Sequence, residues 1–348
     1  MKTDIKDIVE IQESISAGEE ISINLPKYKK YTICNLRGGI GKTTLAFNLS
    51  YLARNVLAVD TCAQGNLSYF YDNNYFTNAS TNVKDMILPY IVPGLGKPTR
   101  VACRISATNQ FFDDNSYYIP SSDELYILPS QLATALNQAN NVQSPTKEQI
   151  VENILLSLRK ETDREMQETG CSKCLIDTSP FFSGATHLAW HASDALIIPV
   201  RTDQQSINSL NLLLKTLKDP SSDFRRNMSY LTPNLKTPKI QMIILTHCTW
   251  STQKNAKNKP NQQTKVYIEK VKDIVNRNIT SFTTDNPDNH IFLLDDFLGT
   301  GRISSALSKP VLLLQQGESM RINKVKTTVN ASVEKCKNQL RHISNALW

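Results

Sequence analysis

Short, continuous apolar runs alternate with stretches of helical periodicity along most of the chain. The runs predict strands at about 31–35, 56–60, 125–129, 174–178, 195–200, 240–246 and 290–294. Strands that are apolar at successive positions are buried on both faces, as in a mainly parallel sheet with helices on each side. The pattern therefore predicts a three-layer α/β fold with about seven strands, and it puts the ligand site at the carboxyl ends of those strands.

Helical periodicity also marks the beginning of the chain. Within residues 1–28, Ile5, Ile8, Ile11 and Ile15 share one face of a predicted amphipathic helix. Residues 1–25 hold two lysines and six acidic residues. Because an acidic helix is a poor ligand for DNA, we expect this segment to dock on the chain's own core or on a partner.

The end of the chain, residues 316–348, is predicted to form a second amphipathic helix. Its apolar positions follow alternating steps of four and three and are Val325, Val329, Val333, Cys336, Leu340, Ile343 and Leu347. We expect this stripe to pack on the sheet. Contact with a partner is one alternative. Contact with an anionic membrane is another, because Lys335, Lys337 and Arg341 would suit anionic lipid and Trp348 an interface.

The chain between these ends, residues 29–315, is predicted to be one large domain. A chain of 348 residues with 40% hydrophobic content can bury a core of that size. Residues 72–122 are rich in Asn, Tyr, Pro and Gly with little periodicity, which indicates an insertion of part helix and part loop. Residues 249–263 are rich in Lys, Asn and Gln and predict an exposed loop.

A glycine-rich turn joins the first predicted strand to a helix. It reads Asn35-Leu-Arg-Gly-Gly-Ile-Gly-Lys-Thr-Thr44, although the strict phosphate-loop pattern would have glycine at Leu36. Glycines in such a turn let consecutive backbone N–H groups point at one anion. Lys42 would then lie against the β- and γ-phosphates, and the Thr43 hydroxyl would hold Mg²⁺. The alternative is an ordinary turn between strand and helix. The predicted nucleotide-binding residues are Gly38, Gly39, Ile40, Gly41, Lys42, Thr43 and Thr44.

This turn resembles the deviant phosphate loop of the ParA/MinD family of P-loop ATPases, which usually reads Asn-x-Lys-Gly-Gly-x-Gly-Lys-Thr-Thr. Three further blocks follow in the family's order. Residues 56–66 are similar to its second strand and switch I, residues 174–180 to its Walker B segment, and residues 301–311 to its closing stretch. The resemblance spans about residues 30–315 and is nearest to the plasmid and chromosome partition ATPases.

The resemblance implies a function as well as a fold. It implies ATP and Mg²⁺ as ligands, an ATP-dependent sandwich homodimer, binding to nonspecific DNA, and a ParB-like partner that resets the switch during segregation of DNA or cargo. Two other interpretations stay open. One is a pseudo-ATPase scaffold or regulator that binds nucleotide without turnover. The other is a MinD-like ATPase that cycles on membranes through the C-terminal helix.

Roles within the site also follow from the resemblance. Asp177 takes the Walker B position and would hold Mg²⁺ through a water molecule, together with Thr43, and Asp60 would face the same hydration shell. Arg37 stands where the family has the lysine that crosses the dimer to the partner's γ-phosphate. Its guanidinium keeps the charge in a different shape, and an arginine facing solvent or paired with an acid is the alternative. The predicted catalytic residues are Lys42, Arg37 and Asp60.

Switch I departs from the family. Cys62 replaces the aspartate that orients the attacking water, and Ala63 replaces the usual proline. A thiol is mostly protonated at neutral pH and accepts hydrogen bonds weakly, so it is a poor substitute for a carboxylate. We therefore expect a weak ATPase in which nucleotide binds but hydrolysis is slow or absent. Gln64 or Asp60 could hold the water instead.

Charge and cysteine content complete the picture. The formal net charge is +7, which permits an acidic partner without demanding one. The candidate DNA-binding residues lie in two basic stretches and are Lys254, Lys257, Lys259, Arg321, Lys324 and Lys326. The alternative is a solvated loop and a polar helix face. The seven cysteines are scattered, which indicates reduced thiols in a cytoplasmic protein, and we expect a structural role for the Cys171 and Cys174 pair. Such a protein could also associate with the nucleoid. No apolar run approaches the length of a membrane span, so we expect no membrane partner.

Overall fold

The computed structural model describes residues 3–92, 94–182, 184–228, 237–251, 253 and 258–348. The strands of its central sheet are β1 (Lys30–Ile33), β2 (Val56–Asp60), β3 (Cys103–Arg104), β4 (Tyr117–Ile119), β5 (Lys173–Asp177), β6 (Ala195–Arg201), β7 (Lys239–Cys248) and β8 (Ile291–Asp295). Their order across the sheet is β3-β4-β2-β5-β1-β6-β7-β8. Every neighbouring pair is parallel except β3 with β4. The predicted α/β fold is confirmed, with eight strands where about seven were expected.

Helices cover both faces of this sheet. They are α1 (Lys6–Ala17), α2 (Lys42–Ala53), α3 (Asn66–Tyr71), α4 (Tyr75–Asn78), α5 (Val83–Ile91), α6 (Leu128–Ala139), α7 (Thr146–Leu155), α8 (Ser157–Thr169), α9 (Ala185–Ala192), α10 (Gln204–Lys218), α11 (Asp223–Met228), α12 (Gln262–Arg277), α13 (Leu298–Leu307) and α14 (Val333–Leu347). Successive strand residues point to opposite faces, so one strand contributes to two cores. In β2, Ala58 packs with α2, α3 and α14, whereas Leu57 and Val59 pack with α5 to α9. Helices α10 and α12 cover the other half of that second face.

The predicted strand at 125–129 is wrong. Residues Asp123–Tyr126 form a 3₁₀ turn, and α6 follows directly with Pro129 in its first turn, where the missing N–H of proline costs nothing. Tyr126 is 60% exposed, so this apolar run is only partly buried. The strand that does join the sheet is β4, inside residues 72–122. That segment therefore supplies the edge strand β3 and its neighbour β4, where the sequence indicated only helix and loop.

The predicted C-terminal helix begins later than expected. Residues Ser319–Ile322 and Val325–Thr328 form two antiparallel strands, β9 and β10, and α14 starts only at Val333. The turn between the strands contains Asn323 and Lys324, both with positive φ. The helical stripe from Val333 onward is buried in the core beside the sheet, as expected. Among the described residues, none of the helices combines the length and apolarity that crossing a bilayer requires.

The N-terminal helix packs on the chain itself. Helix α1 contacts α14 and β8, and its Ile8 and Ile15 are buried. Gln339 of α14 donates a hydrogen bond to Ser16 over 3.4 Å. The structure thus docks the acidic helix on its own chain, which was one of the two expectations. The division of the chain at residues 28 and 315 stays a prediction.

Candidate nucleotide-binding site

The glycine-rich loop lies between β1 and α2, in the middle of the sheet. Gly39 and Gly41 have φ values of +71° and +90°, which only glycine adopts without strain. A Cβ added at either position would meet nothing within 4 Å. The loop is therefore an open cradle lined by backbone, with room for a ligand beside the amides. Thr246, near the end of β7, fixes the loop by donating a hydrogen bond to the Ile40 carbonyl over 3.1 Å.

Lys42 lies inside this loop. Its ammonium donates hydrogen bonds to the backbone carbonyls of Asn35, over 3.3 Å, and of Arg37, over 2.8 Å. Burial lowers the pKa of Lys42, and the nearby Asp177 carboxylate opposes that shift. A buried cation whose hydrogen bonds go to neutral carbonyls is available to an anion that enters the cradle.

Two aspartates end neighbouring strands beside the loop. Asp60 and Asp177 are directly paired across β2 and β5. Both oxygens of Asp60 are already used, because they accept from the Cys62 N–H over 3.0 Å and from the N–H and hydroxyl of Ser68 over 2.8 Å. Asp60 thus anchors the loop that follows it. Asp177 is different, since Thr43 donates to its Oδ2 over 2.7 Å while its buried Oδ1 has no partner among the described residues.

The electrostatics of this pair favour a cation. Burial raises the pKa of Asp177, and the negative charge of Asp60 raises it further. Burial also raises the pKa of Asp60, against the hydrogen bonds that it accepts from Ser68 and Cys62. Two carboxylates held together away from water are stabilised in their charged form by a nearby positive ion.

The donors present fit magnesium. The unpartnered Asp177 Oδ1 and the Thr43 hydroxyl are oxygen ligands, the type that Mg²⁺ prefers. Within the described ranges, no three His, Cys, Asp or Glu side chains cluster at metal-binding distance. A site with so few protein ligands suits Mg²⁺ held together with phosphate oxygens and water, because magnesium commonly keeps several of its waters.

Comparison with known protein families identifies this arrangement. Residues 28–230, more than half of the chain, match a family model described as an AAA domain. The chain belongs to the ParA/MinD family of P-loop ATPases.

Two curated relatives have names that describe positioning and partition. Maintenance of carboxysome distribution protein A from Gloeothece citriformis is 27% identical over 52% of this chain and 60% of the relative. Chromosome-partitioning ATPase Soj from Thermus thermophilus is 26% identical over 56% of this chain and 63% of the relative. The chain therefore spans about three fifths of the length of each of these two relatives.

Solved structures share the fold. The ATP complex of a Cyanothece McdA variant superposes with a TM-score of 0.56 at 19% identity, over 81% of this chain and 88% of the other. A plasmid partition protein from Borrelia burgdorferi bound to AMPPNP gives 0.52 at 18% identity, over 91% and 98%. At these identities the likeness establishes the ParA/MinD fold of the chain.

The loop predicted to be switch I contains a buried thiol. Cys62 is 8% exposed, and the Ser179 side chain lies within hydrogen-bonding reach of its sulfur. Burial raises the pKa of Cys62, so the group stays a neutral thiol at physiological pH. Gln64, the other predicted switch residue, is exposed and accepts only a long hydrogen bond of 3.4 Å from Asn66. Of these two switch residues, Gln64 is therefore the one whose polar group is open to solvent.

Arg37 is paired within its own chain. Its guanidinium donates to the Asp203 carboxylate and, over 2.7 Å, to the Ser206 hydroxyl at the start of α10. Asp203 also caps that helix by accepting from the Ser206 N–H over 2.9 Å. This is the acid-paired arrangement that the sequence left as an alternative. A contact across a dimer, which stays a prediction, requires this ion pair to open.

A cleft of about 990 Å³ extends from the phosphate loop. It runs over the ends of β7 and β8 to α13 and the β9–β10 hairpin, and sequence reasoning missed the polar residues that line it there. Among them are Thr246, His247, Asp295, Asp296 and Asn323. Thr246, His247 and Asp295 end or directly follow predicted strands, and residues at the carboxyl ends of parallel strands line ligand sites. That signal was present in the sequence.

The predicted DNA-binding residues are separated in the structure. Lys254 and Lys257 lie outside the described residues, and Lys259 forms an ion pair of 3.2 Å with Glu13. Arg321 and Lys326 are exposed and face each other across the β9–β10 hairpin, with Lys324 in its turn. Only these three form a cluster of exposed basic residues in the part of the predicted set that the structure describes.

Proposed function

We propose that the chain is an ATP- and Mg²⁺-dependent switch of the ParA type. Its nucleotide-bound form pairs face to face with a second copy and contacts DNA without sequence preference, in the cytoplasm, to position DNA or another cargo. A ParB-like activator is the expected partner that resets it. The observation that carries the proposal is the open glycine cradle next to Asp177 Oδ1, a buried carboxylate oxygen without a partner among the described residues.

The cradle suits a triphosphate for three reasons. The Gly39 and Gly41 backbone adopts the conformations in which N–H groups converge on an anion. Lys42 exchanges its hydrogen bonds to two neutral carbonyls for contacts with phosphate oxygens, and the positive N-terminal end of α2 points at the same phosphates. When bound, magnesium supplies positive charge to the phosphate oxygens, and Thr43 with Asp177 are the residues that would hold it.

Turnover is proposed to be slow. A water aligned on the γ-phosphate needs a strong acceptor, and the Cys62 thiol is neutral, buried and already close to Ser179. Loss of one group that handles a proton costs a factor on the order of 10²–10⁴. The same observation favours a second candidate function, a scaffold that binds nucleotide without hydrolysing it.

The DNA-binding part of the proposal rests on the β9–β10 hairpin. Like charges directly opposite each other destabilise a strand pair, yet Arg321 and Lys326 occupy such positions. A row of phosphates would stabilise both charges, and phosphate contacts dominate nonspecific binding to DNA. Membrane cycling has less support, because the apolar stripe of α14 is already buried against the sheet.

The test is calorimetric titration of the purified chain with ATP and Mg²⁺, using Lys42→Ala as the variant. We expect measurable binding by the wild type and a loss of roughly ten- to hundredfold in the variant, since a charged hydrogen-bonding group is removed. Lys215→Ala, at an exposed position of α10, is the matched control and should bind as the wild type does. Absence of nucleotide binding by the wild type would refute the proposed function.

A further inference from the structure

Tyr75 presents a buried hydroxyl without a partner next to switch I. The residue is 3% exposed, and its phenolic oxygen makes no hydrogen bond with any described residue. Buried hydroxyl groups in folded proteins nearly always have a partner, so each exception calls for a physical explanation. The nucleotide-binding roles described above make no use of this residue.

The hydroxyl lies directly against Gly65, the last residue of switch I before α3. A methyl group added to Gly65 would overlap the phenolic oxygen, so the absence of a side chain there is what admits the tyrosine. Gly65 has a φ of +61°, and its N–H donates to the Cys62 carbonyl over 2.8 Å. The tyrosine therefore closes over the turn that contains Cys62 and Gln64.

Contacts within α4 and its N-terminal turn position Tyr75. Its own N–H donates to the Asp72 carbonyl over 3.1 Å, and its ring stacks on Phe76 with centroids 4.2 Å apart. The Asp72 carboxylate in turn accepts from the Asn74 N–H and the Asn78 amide, each over 2.8 Å. The short helix α4 thus sets the direction of the hydroxyl towards the loop that ends in Gly65.

An unpaired buried hydroxyl raises the free energy of the state that contains it. A second loop arrangement, in which the hydroxyl is paired, avoids this cost in free energy. A ligand that binds preferentially to the second arrangement therefore binds more tightly. The turn against which the hydroxyl lies contains acceptors, namely the backbone carbonyls of residues 61–65 and the exposed Gln64 amide. Burial raises the pKa of Tyr75, so the phenol remains a proton donor.

We propose that Tyr75 is a positioning residue of switch I, whose hydroxyl gains a hydrogen-bond partner in the 61–65 loop only when nucleotide closes that loop. It donates to the loop and so holds Cys62 and Gln64 in place over the phosphates. This inference rests on the proposed nucleotide-binding function and extends it to the regulation of the same site.

The test compares Tyr75→Phe with Tyr71→Phe. Tyr71 is a matched control because it is also buried in this region, but its hydroxyl already has a partner, Ser50, at 2.7 Å. Two quantities are measured for each, the thermal midpoint without nucleotide and the affinity for an ATP analogue that is not hydrolysed, with Mg²⁺. For Tyr75→Phe we expect an unchanged or higher midpoint and an affinity weaker by roughly three- to tenfold. For Tyr71→Phe we expect a lower midpoint and wild-type affinity.

Three results would overturn the inference. The first is an unchanged affinity of Tyr75→Phe. The second is a lower nucleotide-free midpoint of Tyr75→Phe, since that would mean that the hydroxyl is already paired in the free protein. The third is an equal loss of affinity in Tyr71→Phe. Each of these leaves the proposed function intact as long as the wild type binds nucleotide and Lys42→Ala binds it more weakly by the expected factor.

Discussion

Arg37 and Asp203 form an ion pair within one chain, beside the phosphate loop. The same guanidinium occupies the position from which the family's signature lysine reaches a partner's phosphate. If Arg37 makes the predicted contact across a dimer, Asp203 competes with that phosphate for its guanidinium. Because the two side chains are 27% and 32% exposed, the pair contributes little to folding stability, within about 1 kcal/mol.

Substitution Asp203→Ser should break the ion pair of Arg37, leaving it only the hydrogen bond to Ser206, and keep the cap of α10, since serine also accepts from the helix N-terminus. We expect the thermal midpoint to change little and nucleotide-dependent dimerisation to strengthen. Sedimentation velocity with a non-hydrolysable ATP analogue measures this. The double variant Arg37→Ala with Asp203→Ser is the control and should show no gain. An equal gain in both variants would exclude Arg37 as the group that crosses the dimer.

Substitution Cys62→Asp should raise the rate of phosphate release. A carboxylate can accept a proton from water where the buried thiol cannot, so the gain expected is on the order of 10²-fold or more if this group alone limits turnover. A third acid beside Asp60 and Asp177 should lower the nucleotide-free midpoint, and Mg²⁺ with nucleotide should restore it. Cys62→Asn, which has the shape without the charge, is the control. An unchanged rate in Cys62→Asp would mean that the thiol is not the limiting defect.

The Asp60 and Asp177 pair predicts a pH dependence of stability. Their pKa values are raised in the folded state, so the folded chain holds protons that the unfolded chain has released. The two carboxyl groups therefore add to the free energy of unfolding at low pH, and this contribution is lost as the pH rises through the raised pKa values. Asp177→Asn should therefore raise the nucleotide-free midpoint at alkaline pH relative to wild type, and it should abolish stabilisation by Mg²⁺ with nucleotide.

Asp60→Asn is the matched control for that measurement. Asp60 accepts three hydrogen bonds from Cys62 and Ser68, so an amide at this position would face donors with a donor of its own. We expect it to lower the midpoint at every pH. Equal behaviour of Asp60→Asn and Asp177→Asn would contradict the assignment of separate roles to the two carboxylates.

Two buried histidines predict the opposite slope at acid pH. His187 and His191 lie one turn apart on α9, beside Phe224, with ring centroids 5.0 Å apart. Burial lowers the pKa of His187 to about 4 and that of His191 well below its usual value. As the pH falls, the unfolded chain binds protons at these two histidines before the folded chain does. The free energy of unfolding therefore decreases as the pH drops below about 6.5.

The double variant His187→Leu with His191→Leu should remove that loss. Its denaturation midpoint relative to wild type should rise as the pH is lowered from about 6.5 towards about 5, in urea titrations read by circular dichroism. His290→Leu is the control, because the ring nitrogens of His290 contact Gln241 and Thr284 at 2.8 and 2.9 Å, and their loss should destabilise the protein at all pH values. A pH-independent difference for the double variant would refute the prediction.

Substitution Lys326→Glu separates binding from folding at the β9–β10 hairpin. A glutamate opposite Arg321 forms a favourable cross-strand pair, so stability should hold or rise. Affinity for duplex DNA in the presence of nucleotide should fall. The slope of log K against log salt should become shallower by about 0.9 for each phosphate that the variant no longer neutralises. Lys215→Glu makes the same change in net charge on α10 and should leave the slope unaltered. A lower midpoint with unchanged DNA affinity would assign Lys326 a structural role.

Sequence reasoning worked best where one local segment specifies the structure. The phosphate loop was predicted from its own glycines, and both strand-ending aspartates from the apolar runs before them, because these features depend on neighbours in the chain. It failed at 125–129 and at 325–332, where an apolar run or a spacing of four was compatible with more than one element. Pro129 and the positive φ of Asn323 and Lys324 decided those two cases.

The contacts between distant segments were not predictable in the same way. Nothing near Arg37 in the chain indicates Asp203 as its partner, and nothing near Gly65 indicates that the Tyr75 hydroxyl lies against it. The β9–β10 hairpin reaches the cleft only because α13 passes beneath it, where Gly299 lets the Thr328 carbonyl approach. Such pairs depend on how complete elements pack, which a local pattern does not contain.

The amino-acid sequence by itself therefore determined the α/β fold and the position of the phosphate loop, because backbone conformation and burial periodicity are local properties. Only the tertiary structure decided that Asp60 anchors switch I while Asp177 keeps an oxygen without a partner among the described residues. Both residues end apolar strands and look alike in sequence. They differ because the chain after β2 turns back to give its N–H groups to Asp60, whereas the Asp177 side chain at the end of β5 is buried against the phosphate loop and accepts from Thr43 there through one oxygen only.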